Sequence, residues 1–174
     1  MGDCAQGAAM SADLVILTIT RVEARHLADL MTQFADLLQD TEDASNDPAV
    51  ARLVPDAYPG DAQAGREFRH ATEHELLDRR RDDAHRVLAG LADVGVHGSE
   101  TSGAAPDDAD VVDVALAPDD ARAWMRALAA IRLVIASRLG IRTEDDHDAD
   151  DPRFGVYDWL GYRLEGLIHA IDGD

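Results

Sequence analysis

The side chains of this chain that could bind a metal are glutamates and histidines at helical spacing. Glu67, His70 and His74 are separated by three and four residues, which places them on one face of a helix. A Glu-x-x-His pair is a unit from which carboxylate-bridged di-metal bundles are built, but those bundles need a second such pair. The other pair begins at Glu23, which is predicted to cap a helix instead. We therefore favour a solvated polar face over a metal site, and we predict no bound cofactor.

Arginines beside apolar helical stripes form a second candidate site. Arg132 and Arg138 flank the apolar face of a predicted helix, and a buried guanidinium group needs a carboxylate partner. Together with Glu67 and Arg69, they could line a polar pocket between helices. The alternative is that these arginines are structural and fix the register of the helices through ion pairs.

Three aromatic residues could form an interaction face. Trp159 and Tyr162 project away from the apolar stripe of the last predicted helix, and Tyr58 lies in a Tyr-Pro-Gly turn. Tryptophan is highly buried in monomers and is also enriched at interfaces. Either another element, such as the Tyr58 loop, covers this face, or a partner does.

The charge of the chain limits its partners. The 174 residues include 16 Lys+Arg and 35 Asp+Glu, for a net charge of −19, and 46% are hydrophobic. A folded body of this charge repels phosphate, so we expect no nucleic acid partner. No run approaches the roughly 20 apolar residues of a membrane helix, so we expect no membrane partner. The single Cys4 favours a reducing, cytoplasmic setting.

Hydrophobic periodicity predicts a mainly α-helical fold, a compact bundle of four to five helices with a small two-stranded β-ribbon. We expect a single domain over residues 14–174, a disordered N-terminus over 1–12 and a flexible loop over 95–110 within the domain. The predicted strands cover residues 14–19 and 112–116. The predicted helices cover residues 21–39, 48–54, 61–92, 118–139 and 156–171.

Two strand-helix units of the chain follow the same pattern. A shift of 97 residues aligns Leu17 with Val114 and Met31 with Leu128. We therefore predict that the two strands pair with each other and lie on the helices, since an isolated ribbon is marginal in water. The second helix of the repeat is apolar almost all round over residues 127–136, which predicts the buried centre of the bundle.

Several spacings together resemble a known family. They are Arg52-Leu53-x-Pro55-x-Ala57-Tyr58, Glu67-Phe68-Arg69, Trp124-x-x-x-Leu128, Arg132-Leu133, Arg138-Leu139-Gly140-Ile141 and Tyr157-x-Trp159-Leu160. In these, the chain resembles an uncharacterised actinobacterial family, domain of unknown function 2017, from about residue 14 to the C-terminus. The resemblance implies no known activity. It does imply genomic proximity to the adaptor of the Clp protease, and with it a cytoplasmic regulatory or adaptor role.

Two functional interpretations follow from these patterns. The first is a non-enzymatic interaction protein, linked to Clp proteolysis, that binds a protein partner or a second copy of itself through the face around Tyr58, Trp159 and Tyr162. The second is a ligand- or metal-binding helical bundle that uses the polar cluster of Glu67, Arg69, Arg132 and Arg138.

Overall fold

The computed structural model describes residues 14–54, 60–93 and 110–172, and these ranges form a mainly helical fold with a small β-ribbon, as predicted. The strands are β1 (Val15–Thr20) and β2 (Val111–Leu116). The helices are α1 (Arg21–Gln39), α2 (Pro48–Ala51), α3 (Ala62–Asp93), α4 (Pro118–Leu139) and α5 (Gly155–Asp172). The predicted N-terminal disorder, Tyr58 and all but the last residue of the predicted 95–110 loop lie outside the described residues.

The predicted pairing of the two strands is confirmed. β1 and β2 are antiparallel, with Leu17 opposite Val114. These two residues are also equivalent under the 97-residue shift, and the helices that follow the strands begin at residues 21 and 118, again 97 apart. The two units are thus related locally by an approximate two-fold axis. Their inward side chains, including Leu17, Ile19 and Val114, are buried in the core.

The start of α1 follows from its sequence. Thr20 accepts a hydrogen bond from the backbone N–H of Glu23 at 3.3 Å, and its own N–H donates to the Glu23 carboxylate at 2.9 Å. This reciprocal capping box satisfies donors that the first turn of a helix otherwise leaves unpaired. The helix begins and ends where the periodicity predicts, and it buries Leu27, Met31 and Phe34.

The prediction that α4 lies at the centre of the fold is confirmed. This helix packs against α2, α3 and α5. Trp124 and Leu128 are completely buried, and small side chains let the neighbouring helices approach closely. The buried small residues of α4 are Ala121, Ala123, Ala127, Ala130 and Ala136.

Two buried carboxylates of α3 connect it to other elements, and the sequence does not single them out. Asp83 accepts two hydrogen bonds from Arg126 of α4, at 2.6 and 2.8 Å. Glu73 accepts a hydrogen bond from the backbone N–H of Ala44 at 2.5 Å. Both acidic residues are only 8% exposed, so they interrupt the apolar stripe of α3 at positions where a core residue would otherwise stand.

Glu23 also joins the start of α1 to α5. The indole N–H of Trp159 donates to its carboxylate at 2.9 Å, and the guanidinium group of Arg163 donates to the same oxygen. Arg163 further donates to the backbone carbonyl of Thr18 in β1 at 3.1 Å. Partial burial acts to raise the pKa of Glu23, but the hydrogen bonds from Arg163, Thr20 and Trp159 outweigh it and lower the pKa from 4.5 to about 2.

We expect the Glu23 carboxylate to make the fold acid-sensitive. A lowered pKa in the folded state means that ionised Glu23 stabilises the protein above pH 4.5, and that this contribution is lost as the pH falls from about 4.5 towards 2. At neutral pH, Glu23→Gln should lower the free energy of unfolding by about 2 to 3 kcal/mol. Urea denaturation at pH 7 and pH 3 measures both effects.

Glu165→Gln is the matched control for this experiment, because Glu165 is an exposed glutamate on α5. It should change the free energy of unfolding by less than about 0.5 kcal/mol at either pH. Equal losses in the two variants at pH 7 would contradict the role assigned to Glu23.

Gly90 of α3 allows the indole of Trp124 to pack against the helix backbone. A Cβ atom at this position would lie 3.0 Å from Cζ2 of Trp124. Because Trp124 is fully buried, Gly90→Ala should destabilise the fold by about 1 to 3 kcal/mol.

At Gly166 of α5 a Cβ would meet no atom within 4 Å, so Gly166→Ala should stabilise the helix by up to about 1 kcal/mol. Thermal unfolding of both variants should therefore move in opposite directions, and a stabilised Gly90→Ala would disprove the close contact.

Candidate functional site: a groove between α1 and α5

The elements around Trp159 form a groove because α5 buries only part of its apolar surface. Leu160 and Leu167 are fully buried against the core, whereas Trp159 is half-buried. Val156, one turn earlier, is 47% exposed. The first turns of α5 thus present apolar surface beside α1, which lies across from them.

The groove has a volume of about 530 Å³ and an apolar floor. Leu30, Val156 and Trp159 are the large apolar side chains in its lining. Its remaining lining residues are Glu23, His26, Asp29, Gln33 and Gly155. We call this concavity the α1–α5 groove.

The polar rim of the α1–α5 groove follows from helical spacing. Glu23, His26, Leu30 and Gln33 are three, four and three residues apart, so they lie on one face of α1. Glu23 holds Trp159 in place through the indole hydrogen bond. The groove can therefore receive an apolar side chain against a tryptophan whose position is fixed, with the exposed carboxylate of Asp29 at its edge.

The predicted aromatic face is divided in the structure. Trp159 forms a wall of the α1–α5 groove, whereas Tyr162 lies outside its lining and is 68% exposed. The Tyr162 ring lies 5.3 Å from the guanidinium carbon of Arg163. Tyr58 is outside the described residues, so its place relative to this face stays a prediction.

The structure distributes the predicted polar cluster over separate places. Glu67 accepts a hydrogen bond from Gln63 on its own helix at 3.2 Å. Arg69 lines a polar depression of about 400 Å³ beside residues 42–45. Arg132 lines a different concavity, next to Tyr157 of α5. Among the described cavities, therefore, Arg69 and Arg132 do not share one.

Arg138 has the carboxylate partner that its position on α4 requires. Its guanidinium group donates to Asp47, the N-cap of α2, at 2.5 Å. Arg132 has a different kind of partner, since its Nε donates to the backbone carbonyl of Tyr157 at 3.2 Å. The structural role considered for these arginines thus fits Arg138, which connects α2 to α4.

The histidines considered for metal binding lie on the surface of α3. His70 and His74 are exposed and line the same depression as Arg69. In the part of the chain that the structure describes, no group of three or more His, Cys, Asp or Glu side chains is arranged to hold a metal ion. None of the described helices has the length and apolar character needed to cross a membrane.

Sequence reasoning missed the residues that fix and complete the groove. The sequence pattern assigned no role to Arg163, which is the cation that neutralises Glu23. Leu30 and Val156 were not singled out either, although both line the groove and Val156 is exposed near the start of α5. The helical spacing of Glu23, His26 and Leu30 could have indicated the groove, because it places polar and apolar side chains together on one face of α1.

Comparison with known proteins identifies the family of the chain but assigns no activity to it. No curated protein and no solved structure shows significant similarity to the chain. A family model described as "Domain of unknown function (DUF2017)" matches residues 5–171, which is almost the whole sequence. The resemblance inferred from the short motifs is thereby confirmed, and the chain belongs to the DUF2017 family.

Proposed function

We propose that the protein is a non-enzymatic, adaptor-like regulator that binds a segment of another protein in the α1–α5 groove. It acts in the cytoplasm, in connection with Clp proteolysis. The observation that carries this proposal is a preformed groove with an apolar floor, whose tryptophan is held in place by an internal hydrogen bond. A recognition surface that is ordered before binding loses less conformational entropy when the partner arrives.

The chemistry of the groove indicates what the partner segment contains. Trp159, Val156 and Leu30 favour an apolar anchor residue, since buried aromatic contacts supply most of the energy of protein interfaces. Asp29 at the rim and the net charge of −19 favour basic residues beside that anchor. The partner segment is therefore an apolar residue flanked by Lys or Arg.

The connection with Clp proteolysis rests on the family. Its members are often encoded near the Clp adaptor, which is what the sequence resemblance implies. The single cysteine at position 4 supports a reducing compartment. The purified Clp adaptor is accordingly the first partner to test.

Val156→Asp is the variant that tests the groove as the docking site. Val156 is exposed, so its replacement should leave the fold intact while placing a charge where the apolar anchor binds. We expect the affinity for the Clp adaptor, measured by isothermal titration calorimetry, to fall at least about tenfold. Affinity should also fall as the salt concentration rises, because the rim attracts the partner electrostatically.

Ile168→Asp is the matched control, since Ile168 is another exposed apolar residue of α5 and lies outside the groove lining. This variant should bind within about twofold of the unmodified chain. Failure of the adaptor to bind the unmodified chain would remove the Clp connection. If sedimentation shows that Val156→Asp abolishes self-association instead, the occupant is a second copy of this chain and the proposed partner is wrong.

A further inference from the structure

A second concavity lies on the other side of α5, between this helix and α4. It has a volume of about 680 Å³. Its lining residues are Arg52, Arg132, Leu133, Ala136, Ile141, Arg142, Thr143, His147 and Tyr157. We call it the arginine cleft, because three guanidinium groups and no carboxylate are among these lining residues.

Arg132 is held firmly in the wall of the arginine cleft. Its guanidinium carbon lies 3.8 Å from the centre of the Tyr157 ring, and its Nε donates to the Tyr157 backbone carbonyl at 3.2 Å. Gly161, one turn further along α5, makes room for it, since a Cβ there would lie 3.1 Å from Nε of Arg132. The ring and the carbonyl orient the guanidinium group without neutralising its charge.

Arg52 and Arg142 reach the same cleft from two other elements. Arg52 follows α2 and donates to the backbone carbonyl of Ile141 at 3.2 Å. Arg142 follows the end of α4, and its side chain is exposed. Because a carbonyl partner carries no net charge, the positive charges of Arg52 and Arg132 are not compensated by the groups that hold them.

Two described carboxylates form hydrogen bonds with lining residues of the arginine cleft. Asp158 lies 2.8 Å from Nε2 of His147, one of the lining residues. Asp146 accepts hydrogen bonds from the backbone N–H groups of Arg142 and Thr143, both at 3.0 Å. These bonds and, to a smaller extent, the charge of Arg142 lower the pKa of Asp146, so this carboxylate partly offsets one cation of the cleft. Neither carboxylate forms an ion pair with an arginine of the cleft among the described contacts.

Most, but not all, of the arginines outside the arginine cleft have a carboxylate partner; Arg66, Arg69 and Arg80 have none within 4 Å among the described contacts. Nine arginines elsewhere in the described part of the chain have a carboxylate within 4 Å. They are Arg21, Arg79, Arg81, Arg86, Arg122, Arg126, Arg138, Arg153 and Arg163. What distinguishes the cleft in a chain with 35 acidic residues is that three arginines without such a partner line one concavity, which concentrates positive charge there.

We propose that the arginine cleft binds a small organic anion that carries two or more negative charges on carboxylate or phosphate oxygens. Guanidinium groups match both kinds of oxyanion geometrically, and they bind them with charge-assisted hydrogen bonds. Leu133, Ala136 and Ile141 supply an apolar floor for the carbon skeleton of the ligand. This site is independent of the α1–α5 groove and of the partner that binds there.

Titration of the full chain with citrate and with pyrophosphate at low ionic strength tests this site. Both should bind in a saturable manner that chloride of equal ionic strength does not reproduce. The probe with the lower dissociation constant shows whether the cleft prefers carboxylate or phosphate oxygens. Arg132→Met and Arg142→Met should each weaken binding at least about tenfold, because each removes a charged hydrogen-bond donor.

Arg122→Met is the matched control, since Arg122 lies on α4 and pairs with Asp119 outside the cleft. It should bind the same anion within about twofold of the unmodified chain. Gly161→Ala should weaken binding by displacing Arg132, whereas Gly166→Ala should not. If Arg132→Met does not fold, the exposed Arg142 decides the result. The proposal is overturned if neither anion binds specifically, or if Arg122→Met weakens binding as much as Arg142→Met does.

Discussion

The hydrogen bonds of the Glu23 carboxylate determine how α5 packs against the start of α1. One of its carboxylate oxygens closes the capping box that starts α1, and the other accepts hydrogen bonds from Trp159 and Arg163 of α5. Arg163 in turn bonds to β1, so this carboxylate joins α5 to β1 and α1, which lie more than 100 residues earlier in the sequence. A partly buried carboxylate is unfavourable without such partners, and here they are sufficient to keep it ionised.

Local patterns predicted much of the fold. Capping residues and periodicity gave the bounds of α1, and alternation in two segments gave the paired strands. The buried face of α3 was harder to predict, because Phe68, Leu76 and Leu88 stand at multiples of four residues yet are less buried than Leu77, Val87 and Leu91. Residues spaced four apart do not stay on one face of a helix with 3.6 residues per turn. The buried acidic residues Glu73 and Asp83 also interrupt the apolar pattern of the face that is buried.

The sites could be predicted only in part, because their partners are distant in sequence. The sequence pattern placed Trp159 and Arg132 outside the apolar stripes of their helices, but it did not show which residues they contact. A chain with 35 acidic residues offers many possible ion-pair partners for any arginine, and only folding selects among them. Arg138 forms an ion pair with Asp47, 91 residues away, whereas Arg132 contacts the backbone carbonyl and the ring of Tyr157.

Helix α5 separates two surfaces of opposite chemistry. Val156 and Trp159 form a wall of the apolar groove towards α1, and Tyr157 and Gly161 face Arg132 on the side of α4. This helix is held in place by Leu160 and by the Glu23–Arg163 pair, so the two surfaces have a common rigid support. The net charge of −19 would act differently on the two proposed ligands. It would attract a basic segment towards the groove, whereas an anion would have to be drawn to the cleft by the local field of three guanidinium groups. Because the proposed contacts in the cleft are mainly between charges whereas those in the groove are mainly apolar, anion binding in the cleft should depend on salt more steeply than docking in the groove.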